Sequence, residues 1–106
     1  MPADILHITS ESSWGQAVAE GEYRGDTLAT QGFIHFCTTE QMAGVQDRYY
    51  RGQTGLLVLR IDPGRLSSPL KWETLPGSGE KFPHLYGPLN LDAVVETAPL
   101  EAVLTR

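Results

Sequence analysis

The run LLVLRI, Leu56 to Ile61, limits the fold of this chain more than any other stretch. Five aliphatic residues and one arginine, without the alternation of a half-buried strand, read as a central strand covered on both faces. Asp62-Pro63-Gly64 closes it as a turn, because proline presets φ and glycine accepts conformations that other residues avoid. The chain has 106 residues, one domain's worth, enough to bury about two-thirds of its unfolded surface without disulfide or metal. Its 41% hydrophobic and 20% charged residues are those of an ordinary globular protein. The longest unbroken apolar stretch, Leu56 to Leu59, is far shorter than the roughly 18 residues of a membrane span.

Short elements surround this strand. A first strand is expected from near Asp4 to Thr9. Ser10 is placed to cap a helix over ESSWGQAVAE, where Trp14, Ala17 and Val18 recur at helical spacing before Gly21 stops the run. GEYRGDTLATQG has three glycines and no period, so an irregular loop is expected there. Phe33 to Cys37 reads as the second strand. Thr38 and Gln41 match a capping box, followed by a second helix in which Met42, Val45 and Tyr49 repeat until Gly52. LKWETL, from Leu70, reads as a strand with Lys71 and Glu73 on one face and Trp72 on the other. PGSGEK is a loop tip. In FPHLYGPL, Pro83 holds Phe82 extended, and His84 and Tyr86, two residues apart, face the same way. Asp92 to Thr97 and Glu101 to Thr105 are expected as closing strands. The whole reads as an α+β domain: about six short strands in a mixed or mostly antiparallel sheet, with two helices.

Eight Lys and Arg against thirteen Asp and Glu leave a net charge of −5, and the cations are scattered. Duplex nucleic acid is a poor partner for such a chain, since phosphate neutralisation supplies most of that affinity. A small phosphate-bearing ligand needs only two or three local cations, for which Arg24, Arg48 and Arg51 are candidates against the commoner solvated role. Neither GxGxxG nor GxxxxGK[ST] occurs. MPADILHIT has neither the basic nor the apolar region of a signal peptide, and the one cysteine, Cys37, permits no intramolecular disulfide. The expected compartment is the cytoplasm, with no membrane partner.

All three histidines sit in apolar or aromatic runs: His7 in DILHIT, His35 in GFIHFCT and His84 in FPHLYG. A lone imidazole on an apolar strand is more often bonded to backbone than to a ligand. Three in one small chain point instead to a shared cleft, with the strand of His35 flooring a pocket while Ile34 and Phe36 enter the core. His7 and Thr9 project from one strand face, as do His35 and Cys37, so adjacent strands would cluster four polar groups. Three histidines also suit an open zinc site, although their spacing has none of the local pairing that marks metal motifs. Cys37 with His35 or His84 suggests a nucleophile and base, against the plainer reading of a small buried hydrophobe. Glu73, beside Trp72, is either a solvated edge residue or a shielded acid with a raised pKa. His84 and Tyr86 could hold a planar ring by stacking, or simply pack.

HIT, GEYRGDTLATQGFIHFCT, the helix ending in RYYRG, LKWE and FPHLYGPL together resemble the bacterial proteins grouped as domain of unknown function 952, from about Asp4 to Val95. That family in turn looks like a distant, compact member of the ADP-ribosyltransferase-like superfamily, whose split antiparallel sheet binds NAD in a cleft between its halves. The tRNA 2'-phosphotransferase branch has an H-x-T-like motif on its first strand and H-x-[ST] on its second, which His7/Thr9 and His35/Cys37 imitate. The resemblance implies His7 against the NAD ribose or nicotinamide amide, Tyr49 or Tyr50 stacking on a ring, and Glu73 steadying positive charge on the sugar. It also implies NAD as substrate rather than as a bound cofactor. Cys37 stands where related sequences favour serine, and it donates weakly. The catalytic glutamate of that superfamily comes late, ahead of a final hairpin, so Glu80 competes with Glu73. The expected activity is ADP-ribose transfer or hydrolysis in a cleft of His7, Thr9, His35, Glu73, His84 and Tyr86. A non-catalytic small-molecule-binding module and a metal-dependent hydrolase using the three histidines are the alternatives.

Overall fold

The computed structural model describes residues 3–25, 27–74 and 79–104. Strand β1 (Ile5–Ser10) pairs antiparallel with β4 (Leu56–Ile61), from Ile5 opposite Ile61 to Ser10 opposite Leu56. The other edge of β4 takes β8 (Val94–Pro99), so the aliphatic run is the centre of a three-stranded sheet. Both faces of that sheet are covered. Ile5, Leu59 and Ile61 join one apolar cluster with Ala17, Tyr23, Ile34 and Leu85, while Leu6, Ile8, Leu56 and Val58 join a second with Met42 and Leu100.

Helix α1 (Glu11–Glu20) begins where Ser10 Oγ accepts the Ser13 N–H at 3.1 Å. It ends at Gly21, whose φ of 88° would strain any residue with a Cβ. Trp14 and Ala17 pack on the first cluster, but Val18 is exposed, since the helix meets the sheet along a narrower stripe than its apolar spacing suggests.

The glycine-rich segment departs from the expected irregular loop. It contains a two-residue strand β2 (Glu22–Tyr23) and one helical turn α2 (Leu28–Gln31), while Asp26 lies outside the described residues. A single buried side chain, Tyr23, anchors β2, and one residue leaves no periodicity to detect.

Beyond Gly32, β3 (Ile34–His35) pairs with β6 (Lys81–Leu85), setting His35 directly opposite His84. Two residues later the same extended backbone changes partner. Cys37 forms an antiparallel bridge with Leu6 through hydrogen bonds of 2.7 and 2.8 Å, joining the third sheet to the first. The capping box is present, with the Thr38 N–H on Gln41 Oε1 at 3.0 Å and the Gln41 N–H on Thr38 Oγ1 at 3.2 Å. Helix α3 (Met42–Tyr49) follows it.

Strand β5 (Leu70–Thr74) lies on the other side of β6, giving the order β3-β6-β5. The predicted loop tip at 76–78 is outside the described residues. β7 (Leu89–Asn90) pairs with β2. The segment expected as a strand over Glu101 to Thr105 is instead helix α4 (Leu100–Leu104), with Thr105 outside the described residues. Leu100 and Val103, three apart, both turn toward the second cluster, which a helix allows and an alternating strand does not. Among the described residues the domain is α+β with eight short strands, all paired antiparallel, and four α-helices rather than two. No helix among them is long and apolar enough to cross a membrane.

Candidate functional site

A cavity of about 450 Å³ opens where β1, β3 and α3 meet, with His7, His35, Phe36, Tyr49, Tyr50 and Phe82 in its wall. The main-chain crossing at Cys37 creates it, because His7 then lies beside the backbone of His35. His7 Nδ1 donates to the His35 carbonyl at 2.5 Å, a carbonyl being able only to accept. Its Nε2 meets the Tyr23 hydroxyl at 2.8 Å, and that hydroxyl bonds Thr9 Oγ1 at 2.9 Å. Phe36 braces the ring, with centroids 5.2 Å apart. His7 is therefore a fixed wall whose two nitrogens are both engaged. His35 is oriented from α2, its Nε2 donating to Gln31 Oε1 at 2.8 Å. Its neighbours Ile34 and Phe36 are buried in the first cluster.

Tyr23 ties β1 to the segment that follows α1, and removing its hydroxyl tests that role. Tyr23→Phe removes the hydroxyl that both His7 Nε2 and buried Thr9 Oγ1 bond, so the unfolding free energy should fall by about 1–3 kcal/mol. Urea denaturation measures it, with Tyr49→Phe as an exposed control that should stay close to wild type.

Behind His35 stands a second polar group. Glu73 Oε1 accepts from His84 Nδ1 at 2.9 Å and from the Tyr86 hydroxyl at 2.5 Å, as the shared direction of His84 and Tyr86 requires. Tyr86 first, and His84 after it, hold the Glu73 carboxyl below its usual range, and partial desolvation does not outweigh them. The carboxylate in turn pushes the Tyr86 phenol upward. Glu73 is thus neither the freely solvated residue nor the raised-pKa acid that the sequence offers; it is a carboxylate kept ionised. His84 is buried, and with Nδ1–H committed to Glu73 its Nε2 has no hydrogen-bond partner among the described residues. Phe33 stacks on that ring at 4.2 Å and also touches His35 and Tyr86. The His35 and His84 rings meet edge-on at 5.1 Å.

The family model described as "Protein of unknown function (DUF952)" matches residues 8–97. The chain belongs to the DUF952 family. Its fold is similar to the X-ray structure of protein CC0527 from Caulobacter crescentus, with 36% identity and a TM-score of 0.84, covering 92% of this chain and 85% of that one. A double mutant of CC0527 gives 35% identity and a TM-score of 0.83 over the same shares. The solution NMR structure of CC0527 gives 36% identity and 0.78, covering 91% of this chain and 83% of that one. No curated protein matches the chain.

In this DUF952 domain the three imidazoles form a row, His7 bonded to the His35 main chain and His35 against His84, but only His7 and His35 line the cavity. Cys37 and Tyr49 also line it. Thr9 stands behind Tyr23, and Glu73, His84 and Tyr86 stand beyond His35, outside the wall. Among the described residues no three His, Cys, Asp or Glu side chains converge to hold a metal. Burial pushes the Cys37 thiol up to about 12, so it is not a ready nucleophile. Glu80 is exposed ahead of β6, and it is Glu73 that engages His84. Three site residues have no signal in the sequence: Tyr23, Gln31 and Phe33. Tyr23 and Gln31 sit in the aperiodic glycine-rich segment, and Phe33 looks like one more strand hydrophobe.

Proposed function

We propose that this DUF952 protein binds NAD or a related nucleotide in the cavity and transfers or hydrolyses its ADP-ribose. The cavity lies within the roughly 300–1,000 Å³ of small-molecule sites, and its wall joins aromatic rings to a few fixed polar groups. One observation carries the reading. The His35–Phe33–His84 ring cluster links that wall to Glu73, a carboxylate held ionised by two donors. In this reading a planar ring enters beside His7 and His35, stacks near Tyr49, and the attached ribose runs past Phe33 toward Glu73. An ionised carboxylate there stabilises the oxocarbenium-like charge that forms as the nicotinamide bond breaks. The β1-β4-β8 and β3-β6-β5 sheets, bridged at Cys37, are read as a compact form of the split sheet of ADP-ribosyltransferase-like proteins. In the cell the domain works in the cytoplasm.

NAD and ADP-ribose should each raise the melting temperature, because a ligand bound only to the folded state stabilises it by mass action. Incubation with NAD should release nicotinamide, read by chromatography. Absence of both the shift and the release would overturn the reading.

The place of Glu73 outside the cavity wall favours a second reading, a binding module without turnover. Its mark would be a melting shift with NAD and no nicotinamide at any enzyme concentration.

A further inference from the structure

We infer that the ligand of this cavity carries a phosphate group and that Arg48, beside the cavity residue Tyr49, is the residue that selects for it. The inference rests on the nucleotide reading above and adds to it the anchor and the charge of the substrate. None of the described side chains lining the cavity is acidic, although the whole chain carries thirteen Asp and Glu and a net charge of −5. An anion approaching this opening meets no carboxylate among the described wall residues, in a chain whose net charge is negative.

The arginines divide in a way that points to the same opening. Among the described residues, Arg24 pairs with Glu22 at 2.7 Å, Arg51 with Asp47 at 3.6 Å and Arg65 with Asp62 at 3.3 Å. Arg60 bridges Glu96 at 3.0 Å and Asp4 at 3.9 Å. Arg48 alone among these five has no carboxylate within ion-pair distance. It precedes Tyr49 and Tyr50, both in the cavity wall, and its guanidinium lies 6.0 Å from the centre of the Tyr49 ring. A last-turn arginine gains a little from the helix C-terminus, but that needs no place over a cavity tyrosine. A guanidinium with its donors uncommitted to protein carboxylates, beside an aromatic wall that accepts a base or nicotinamide ring, can take a phosphate in bidentate fashion.

Calorimetric titration of the full chain with AMP and with adenosine separates the phosphate from the ring. At low salt the wild type should bind AMP at least about tenfold more tightly than adenosine, with the gap narrowing as salt rises. Arg48→Gln should close that gap and leave adenosine binding unchanged, Arg48→Lys should keep part of it, and Arg51→Gln, whose parent arginine is engaged with Asp47, should keep all of it. Equal affinity of the wild type for AMP and adenosine overturns the phosphate assignment while leaving the nucleotide reading in place. A gap that survives Arg48→Gln overturns the assignment of Arg48 as the phosphate anchor. Failure of both compounds to bind overturns the reading of the cavity itself, and this inference with it.

Discussion

Glu73→Gln should lower nicotinamide release by about a hundredfold or more while leaving the melting shift produced by NAD in place. The amide has the shape of the carboxylate, and its oxygen can still accept from both His84 and Tyr86, so the cluster stays assembled. What disappears is the negative charge, which matters only as positive charge develops on the sugar. Loss of the NAD shift together with turnover would move Glu73 from chemistry to binding, and unchanged turnover would remove it from the mechanism. The same variant reads the carboxylate's contribution to folding. Because Glu73 is held below its ordinary value of 4.5, that contribution is fully present above this pH and is lost as pH falls through the folded-state value. The stability difference between wild type and Glu73→Gln should therefore be constant near neutrality and shrink on acidification, as followed by urea unfolding at each pH.

Leu59→Ala should cost about 2–5 kcal/mol of unfolding free energy, a large part of the 5–15 kcal/mol typical of a domain. Leu59 is fully buried at the middle of β4, with His7 opposite it on one neighbouring strand and Thr97 on the other. Strands on both sides hold the backbone in place, so the space left by the lost side chain cannot close. For a domain near this size each kcal/mol lowers the melting temperature by about 4–8 °C, which thermal denaturation would show plainly. The urea midpoint should fall with little change in slope. Val18→Ala, on the exposed side of α1, should stay within about 0.5 kcal/mol. A loss below about 1 kcal/mol at Leu59 would mean that the sheet relaxes around the gap and that β4 is not its rigid centre.

Several pieces of the site are legible because they depend on nearby residues. Capping by Ser10, the Thr38–Gln41 box and the shared face of His84 and Tyr86 follow from spacings of two or three residues. The central place of β4 follows from its unbroken aliphatic character. The helical end at Leu100 is misread because five residues after a proline are too few to show a period, and only the second cluster decides which faces must be buried. The glycine-rich segment is misread for a related reason, since β2 holds one buried residue and gains its order from β7, far along the chain.

The sequence by itself determined an acidic α+β chain, its central strand, and three imidazoles set among apolar neighbours, since each follows from composition or from residues a few positions apart. Only the tertiary structure decided that Cys37 leaves β6 for β1, that Tyr23 fastens His7, and that Glu73 is an ionised carboxylate set behind His35 rather than in the cavity wall. Those facts rest on one or two hydrogen bonds each, between residues 11 to 31 positions apart, and such bonds leave no trace in local hydrophobicity or propensity.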